Sequence, residues 1–358
     1  MHGCLPAANA DMTGYTYTYE GVFDFEAGGS LRGLQVAYHA SDRPFGSVPG
    51  PDGADVRKVV WICHALTADS DASDWWPDLV GPGKLFDTER YFVICCNMLG
   101  SCYGSSGPAS IDPSTGRPYY LTFPRVTVRD IVRSQNLVRE HLGIPKIDFL
   151  IGASIGGFQA LEWTLMYPDA VRQAVFMATL PRVTPWLTAF QETQRMALDA
   201  DPTFRACRSL DGGKEGLKCA RTVALISYRC GDGYDRKQQE AGPDTLFPER
   251  SCSYQRYQGE KFAARFDAYS YWYLSYSVDS ENVGRGRGGV AQALSRIRAA
   301  VTVVGIDSDL IFPADQMEEM ARQIPGARYE RIHSHFGHDG FLIETDQIEA
   351  IVRPLLNL

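Results

Sequence analysis

The sequence lacks any apolar run approaching the roughly 18 residues that would span a bilayer, which argues against a membrane-spanning protein. It also lacks an excess of positive charge, since 43 acidic residues oppose 35 basic ones and give a net charge of -8. Because a nucleic-acid binder needs a cationic footprint, we expect no nucleic-acid partner. Hydrophobic residues form 44% of the 358-residue chain, which is typical of a folded globular protein and excludes a disordered one.

Cysteine pairs with the spacing of redox or zinc motifs are also absent. The nine cysteines lie at positions 4, 63, 95, 96, 102, 207, 219, 230 and 252, mostly in apolar, strand-like stretches. This pattern predicts buried free thiols. Residues 1–21 contain neither the basic start nor the apolar segment of a signal peptide, so a cytoplasmic enzyme is expected.

Strand-like and helix-like segments alternate along much of the chain. Residues 16–25 and 33–39 alternate in polarity and predict an antiparallel pair, and continuous apolar runs follow in RKVVWICHAL, YFVICCNMLG, KIDFLIGAS, VRQAVFMAT and RAAVTVVGI. Strands that are apolar on both faces are typical of a parallel sheet covered by helices on each side. With helices expected at 127–143 and 313–326, the fold class is α/β, a doubly wound and mostly parallel sheet.

One long stretch breaks this alternation. Residues 182–292 contain helical segments and an aromatic-dense segment at 266–277 but no buried-strand run. We therefore expect an α/β core formed by residues 1–181 and 293–358, with a helical insertion at 182–292. The glycine- and arginine-rich residues 284–289 are expected to form the loop that returns to the core.

The junction between the strand KIDFLIGAS and the helix after it contains the strongest chemical motif, Gly152-Ala153-Ser154-Ile155-Gly156-Gly157. A serine nucleophile on a sharp strand-to-helix turn tolerates only small residues two positions to either side, and the helix directs its first amides at the site. The alternative is that these glycines only permit close helix packing. In this strand–turn–helix context we interpret Ser154 as a nucleophile.

A serine hydroxyl needs a base, and the base needs an acid to orient it. In this fold type the order along the chain is Ser, Asp, His, with each residue after a later strand. His338, in a glycine-flanked loop, is the predicted base. Asp309 is preferred as the acid over Asp307. Asp307 lies closer to its strand, where a carboxylate that only caps the turn is the alternative interpretation.

Further residues near this triad have predicted roles. The amides of Leu66 and Ile155 are the predicted oxyanion hole, and the imidazole of His64 is interpreted as structural. The histidines at 333, 335 and 338 suggest a metal site, but no second cluster completes a ligand set, so no metal is predicted.

These residues resemble the homoserine O-acetyltransferases of the α/β-hydrolase superfamily over about residues 20–352. The matching segments are HALT at 64–67, residues 75–108, residues 115–130, the serine motif with ALEW at 160–163, DP at 201–202, Ala220-Arg221 with Tyr228-Arg229, and GHDGFL at 337–342. The resemblance implies an α/β-hydrolase fold in which the insertion is a helical lid that covers the site, forms a tunnel for the pantetheine arm and mediates a homodimer.

The resemblance also implies a ping-pong reaction with acetyl-CoA as co-substrate and no tightly bound cofactor. Acetyl-CoA would acylate Ser154, and the hydroxyl of L-homoserine would then accept the acetyl group, a step toward methionine. By motif position, Arg221 would hold the substrate carboxylate with support from Tyr228, and Asp339 would hold its ammonium. The alternatives from the residues alone are that Arg221 is a helix-surface charge and Asp339 a loop cap.

The chain departs from the family pattern at Ala153, Ile155, Phe158 and Ala68, which fill space near the nucleophile. The alternatives of a succinyl donor, a serine acceptor or water as acceptor in a serine esterase therefore stay open. A catalytically silent binding protein is disfavoured, because such proteins usually lose a member of the triad.

Overall fold

A computed structural model describes residues 12–48, 57–242 and 244–356. Its main sheet has eight strands in the order β1-β2-β4-β3-β7-β8-β9-β10, and β5 pairs with β6 in a separate small sheet. The strands are β1 (Thr13–Asp24), β2 (Ser30–Ala40), β3 (Val59–Cys63), β4 (Phe92–Cys96), β5 (Ile111–Asp112), β6 (Arg117–Pro118), β7 (Phe149–Ala153), β8 (Gln173–Met177), β9 (Ala300–Ile306) and β10 (Arg328–Ile332).

The six strands from β4 to β10 in the sheet order are parallel, and β1 and β2 continue the sheet in antiparallel pairing. Strands β3, β4 and β7 are buried along their whole length. Alternate residues belong to two core clusters, with Trp61 and Leu150 on one face and Ile62 and Ile151 on the other. Burial on both faces explains why these strands read as continuous apolar runs.

Helices cover both faces and fill the long segment between β8 and β9. They are α1 (Ala72–Trp75), α2 (Val128–His141), α3 (Ile155–Met166), α4 (Pro185–Asp199), α5 (Lys214–Tyr228), α6 (Gly231–Gln238), α7 (Arg250–Ala263), α8 (Ala268–Asp279), α9 (Val290–Leu294), α10 (Ala314–Gln323), α11 (Gly340–Ile343) and α12 (Thr345–Leu356). Helix α2 begins at a capping box in which Thr127 and Asp130 satisfy each other's backbone amides.

Residues 182–292, which we call the lid segment, contain α4 to α8 and the start of α9, which runs across the predicted boundary at 292. Four of the five aromatic side chains of α8 are buried and form the interior of this segment, and the fifth, Tyr276, is half-buried against them. Its two ends meet beside the core, where Val183 N–H donates to Glu281 O (3.0 Å) and Val283 N–H donates to Pro181 O (2.9 Å). The lid segment therefore leaves and rejoins the core at one place.

The predicted fold class is confirmed, and the predicted strands and helices are present with ends shifted by a few residues. The short β5–β6 pair was not predicted. The eight cysteines among the described residues are free, and Cys63, Cys95 and Cys96 are buried as expected. The expectation of burial is wrong for Cys219 and Cys252, which are exposed on amphipathic lid helices. Cys4 lies outside the described residues, as do residues 1–11 of the segment 1–21, for which no signal peptide is predicted. Within the described ranges, no helix is long and apolar enough to cross a membrane.

Candidate active site

Ser154 occupies the turn between β7 and α3, with φ of 60° and ψ of -129°. A positive φ is uncommon for a residue other than glycine and marks a backbone held under strain. The turn is fixed by the Ser154 amide, which donates to Met177 O (3.1 Å) and Ala178 O (3.2 Å) at the end of β8. The half-buried side chain is thereby presented at the carboxyl edge of the sheet.

The flanking glycines are required by space. A Cβ on Gly152 would overlap the carbonyl of Gly156, and one on Gly156 would overlap the carbonyl of Cys63. A Cβ on Gly157 would lie 2.5 Å from Cβ of Thr179. The turn can thus bring α3 against β3 and β8 only with glycine at these positions. The motif therefore both permits close packing and holds the half-buried serine.

His338 and Asp309 form a buried pair after β10 and β9. Nδ1 of His338 lies 2.7 Å from Oδ2 of Asp309, and the exposed fractions of the two side chains are 3% and 0%. Oδ1 of Asp309 accepts the amides of Ile311 (2.9 Å) and Phe312 (3.0 Å). With Nδ1 bound to the carboxylate, Nε2 of His338 is the ring atom left for proton transfer, and it has no hydrogen-bond partner among the described residues.

Asp307 pairs with a different histidine. Its Oδ2 lies 2.8 Å from Nδ1 of His333, and its Oδ1 accepts the amide of Ser334 (3.1 Å). The His333 side chain is 78% exposed. Of the two carboxylates that the sequence offered, only Asp309 contacts His338.

Aromatic rings surround the imidazole of His338. The ring centroids of Phe312, Phe341 and Tyr228 lie 5.2, 5.3 and 5.6 Å from that of His338. This environment keeps water away from the buried His338–Asp309 pair, where charge-assisted hydrogen bonds are stronger than in bulk solvent.

The predicted oxyanion donors lie at the first turn of α3 and after β3. Amides in the first turn of a helix have no intrahelical acceptor, and Ile155 is the first residue of α3. The amide of Leu66 likewise donates to no acceptor among the described residues. The close approach of Gly156 to the carbonyls of Cys63 and His64 brings the loop after β3 against this helix turn.

The imidazole of His64 is fully buried and lies beneath this loop. Its Nε2 accepts the amide of Met98 (3.1 Å), so Nδ1 carries the proton and donates to Ala65 O (2.9 Å). Burial lowers the pKa of His64 to about 4, with the bond to Ala65 opposing the shift. The ring is therefore neutral near pH 7 and serves to hold the loop.

Arg221 and Tyr228 lie on α5, facing the loop that carries His338. The half-buried Arg221 guanidinium packs over the rings of Phe262 (5.0 Å) and Tyr228 (5.9 Å). Its Nε is buried without a hydrogen-bond partner, and no described carboxylate lies within 4.0 Å. Burial raises the pKa of Tyr228 to about 12, while Arg221 lowers it and Asp339 raises it. The arrangement leaves a cation beside the site with an unfilled hydrogen-bonding capacity.

Asp339 forms a salt bridge that the sequence reasoning missed. Its Oδ2 lies 2.9 Å from Nη1 of Arg229, while Oδ1 receives no hydrogen bond from the described residues. Arg229 follows Tyr228 in a segment already singled out, but its partner lies 110 positions further along the chain. No local pattern could have indicated the pair.

The lid segment packs directly against the His338 loop. Gly337 has φ of 64°, and a Cβ there would lie 2.8 Å from backbone atoms of residues 228–230. A Cβ on Gly233 of α6 would overlap the carbonyl of His335. The end of α5 and the start of α6 therefore pack against one side of the loop that carries His338.

The residues that depart from the family pattern are largely part of the core. Ala153, Ile155 and Phe158 are buried, and the Phe158 ring packs edge-on against Phe312 (5.7 Å). Ala68 closes a turn through its amide, which donates to Ala65 O (3.1 Å). As for a metal, the part of the chain that the structure describes contains no group of three or more His, Cys, Asp or Glu arranged to hold one.

The fold and this arrangement define an enzyme class, the α/β-hydrolase-fold proteins with a serine in the turn between a central strand and the helix after it. In agreement, the family described as alpha/beta hydrolase fold matches residues 58–345. The homoserine O-acetyltransferase of Cyclobacterium marinum is 38% identical over 97% of this chain and 96% of its own length. The chain belongs to the homoserine O-acetyltransferase family.

Solved structures agree with this assignment. The homoserine O-acetyltransferase of Staphylococcus aureus is 30% identical, with a TM-score of 0.78 over 97% of this chain and 96% of that one. Esterase E22 has a TM-score of 0.85 over 96% of this chain and 100% of that one, but it is only 22% identical, so this likeness concerns the fold alone.

Proposed function

We propose that this enzyme transfers the acetyl group of acetyl-CoA to the side-chain hydroxyl of L-homoserine through an acetyl-serine intermediate on Ser154, a reaction of methionine biosynthesis. Membership of the homoserine O-acetyltransferase family supports this proposal. The elbow serine and the buried His338–Asp309 pair supply the groups that such a transfer requires.

In the first half-reaction, Nε2 of His338 removes the proton of Ser154 while Oγ attacks the thioester carbonyl carbon. The amides of Leu66 and Ile155 stabilise the resulting oxyanion. The carbon–sulfur bond then breaks, and the CoA thiolate leaves with the proton from His338. Asp309 stabilises the imidazolium that forms and holds the ring in the correct tautomer.

The second half-reaction repeats these steps with the acceptor. Nε2 of His338 removes the proton of the homoserine hydroxyl, whose oxygen attacks the acetyl carbon. The bond to Oγ of Ser154 breaks, and the serine recovers its proton from His338. The acceptor's carboxylate binds Arg221 with Tyr228 beside it, and its ammonium binds the free Oδ1 of Asp339.

A cavity of about 650 Å³ between α5, α6 and α7 supports a route for the acyl donor. Leu310, the residue after Asp309, lines it together with Arg229, the partner of Asp339, and the lid residues Ile226 and Tyr234. We propose that the pantetheine arm reaches the serine from this side. Exposed apolar side chains of the lid segment, such as Phe247 and Tyr257, support the further proposal of a homodimer formed through the lid.

The observation that favours a transferase over an esterase is the half-buried Arg221 guanidinium without an acidic partner. Hydrolysis of a neutral ester needs no such cation, whereas a free amino acid needs a fixed partner for its carboxylate. Arg221→Ala should therefore impair only the second half-reaction, because charge-assisted hydrogen bonds of about 1.5 to 3 kcal/mol each are lost there.

Intact-mass measurement separates the two half-reactions. With acetyl-CoA, Arg221→Ala should gain about 42 Da, one acetyl group replacing a hydrogen, as the wild type does. Adding homoserine should then discharge the variant far more slowly than the wild type, while loss to water is unchanged. Lys218→Ala, which removes an exposed cation on the same helix, is the matched control, and Ser154→Ala should form no adduct.

Three results would redirect the assignment. Discharge of Arg221→Ala at the wild-type rate would remove Arg221 from the acceptor site. Equal loss of the wild-type adduct to water and to homoserine would establish the esterase alternative. Faster turnover with succinyl-CoA, or with serine as acceptor, would identify one of the other transferases.

A further inference from the structure

Ser308 lies between Asp307 and Asp309 in the loop after β9 and takes no part in the mechanism above. Its half-buried hydroxyl donates to the carbonyl of Ser334 (2.6 Å) and accepts the amide of Gly337 (3.1 Å). Both partners belong to the loop after β10 that ends at His338. One hydroxyl thus bridges the loop of the acid and the loop of the base.

The bridge is the middle of three consecutive connections between these loops. Asp307 binds the ring of His333 and the amide of Ser334 at the outer, exposed end. Asp309 binds the ring of His338 at the inner, buried end. Between them, Ser308 is the residue that binds main-chain atoms immediately before His338.

The other side of the His338 loop packs against the lid segment, through the main chain at Gly337 and through the Asp339–Arg229 salt bridge (2.9 Å). Gly337 approaches the backbone of residues 228–230 so closely that a Cβ would lie 2.8 Å away. Its amide has no acceptor among the described residues except the Ser308 hydroxyl. Gly337, which precedes His338, therefore lies between the lid segment and the hydroxyl of Ser308.

We propose that Ser308 is a positioning residue, which holds the imidazole of His338 in the orientation needed for proton transfer. This inference rests on the proposed role of His338 as the general base. Removing its hydroxyl leaves the Gly337 amide and the Ser334 carbonyl without their partner, and the loop relaxes. Because a displacement of about 1 Å at a reacting group can cost roughly 100-fold in rate, the effect falls on the chemical step.

The test measures acylation with p-nitrophenyl acetate, whose leaving group absorbs, together with steady-state transfer from acetyl-CoA to homoserine. Ser308→Ala should lower the acylation rate and kcat roughly 10- to 100-fold while KM for both substrates stays within about twofold. Ser308→Thr, which keeps a hydroxyl, should recover most of the rate. Ser308→Cys fills the site but bonds weakly, so it should resemble Ser308→Ala without leaving a void.

Ser110→Ala is the matched control, since its hydroxyl also accepts a glycine amide in a loop, that of Gly107 at 3.0 Å. It should retain wild-type rates. Wild-type kcat in Ser308→Ala, or a loss that Ser308→Thr does not restore, would overturn the inference. Failure of the proposed function has a separate signature, because the acetyl adduct of the wild-type enzyme would then be lost to water as fast as to homoserine, whatever the Ser308 variants do.

Discussion

Two aspartate–histidine pairs lie side by side at the carboxyl edge of the sheet, and they differ chiefly in burial. The Nδ1–Oδ2 distances are 2.7 Å in Asp309–His338 and 2.8 Å in Asp307–His333. The His338 side chain is 3% exposed and that of His333 is 78% exposed. Two aspartate–histidine pairs of nearly equal length thus connect the same two loops, one of them buried and the other exposed to solvent.

The comparison shows that an aspartate–histidine hydrogen bond does not by itself fix an imidazole in a site that excludes water. In the buried pair, aromatic rings exclude water and two backbone amides fix the other carboxylate oxygen, so the imidazole has one orientation. In the exposed pair, water competes for each group, and such pairs contribute about 0 to 1 kcal/mol. The following predictions test this contrast between the buried and the exposed pair.

The largest difference should appear when each histidine is removed. His338→Ala should lower kcat for acetyl transfer by about 10⁴-fold or more, because the serine loses its base. His333→Ala should leave kcat within about twofold, since its ring faces solvent. Release of CoA, followed with a thiol reagent, measures both, and equal losses in the two variants would remove the distinction.

Removing the negative charge of each acid should give the next largest difference. Asp309→Asn should lower kcat by about 10⁴-fold, because the amide favours the wrong tautomer of His338. Asp307→Asn should lower kcat less than about tenfold, since Asp307 contacts His333 and Ser334 of the same loop but not the ring of His338. The same CoA-release assay applies, and the reverse ranking would show that Asp307 is the catalytic acid.

A third acid, Glu281, tests how burial affects a carboxyl group that has too few hydrogen-bond partners. Glu281 is 1% exposed, its Oε1 has no partner in the described structure, and burial together with the charge of Glu162 raises its pKa well above the usual value, against the effect of Arg129 and Arg287. A raised folded-state pKa gives stability that is complete at low pH and is lost as pH rises. The Tm of Glu281→Gln minus that of the wild type should therefore increase by at least about 2 °C from pH 5 to pH 8.

Glu26 is the control for that experiment. Although burial acts to raise its pKa, hydrogen bonds from Arg285 and Thr127 lower it. A lowered folded-state pKa gives stability that is lost as pH falls, so Glu26→Gln should gain nothing as pH rises. Thermal unfolding of both variants and the wild type at several pH values measures these effects. A difference in Tm between Glu281→Gln and the wild type that does not change with pH would contradict the expectation.

The smallest effect concerns the stability of the exposed pair. Burial acts to raise the pKa of Asp307, but hydrogen bonds from His333 and Ser334 lower it overall. The resulting stability is present at neutral pH and is lost as pH falls through the lowered value. Asp307→Asn should cost less than about 1 kcal/mol at pH 7, and the cost should vanish on acidification, as urea unfolding would show.

Sequence reasoning identified features that depend on local pattern. The Ser154 turn could be predicted because strand, glycines and helix are contiguous, and the sheet could be predicted because strands buried on both faces are apolar throughout. The preference for Asp309 agrees with the contact to His338, while the catalytic roles stay predictions. The Asp339–Arg229 salt bridge and the Ser308 bridge were missed, because both join segments that are remote in sequence and brought together only by packing.

The fit of Gly337 and Gly233 against their neighbours has a practical consequence for protein engineering. If the lid segment were exchanged for that of another protein, residues 228–233 would be replaced and residues 335–340 kept. The new backbone would then overlap the retained loop or leave it without packing contacts. The two stretches therefore form a single exchangeable unit. Chimeras that move them together should inherit a working base, whereas chimeras cut between them should fold with the base misplaced.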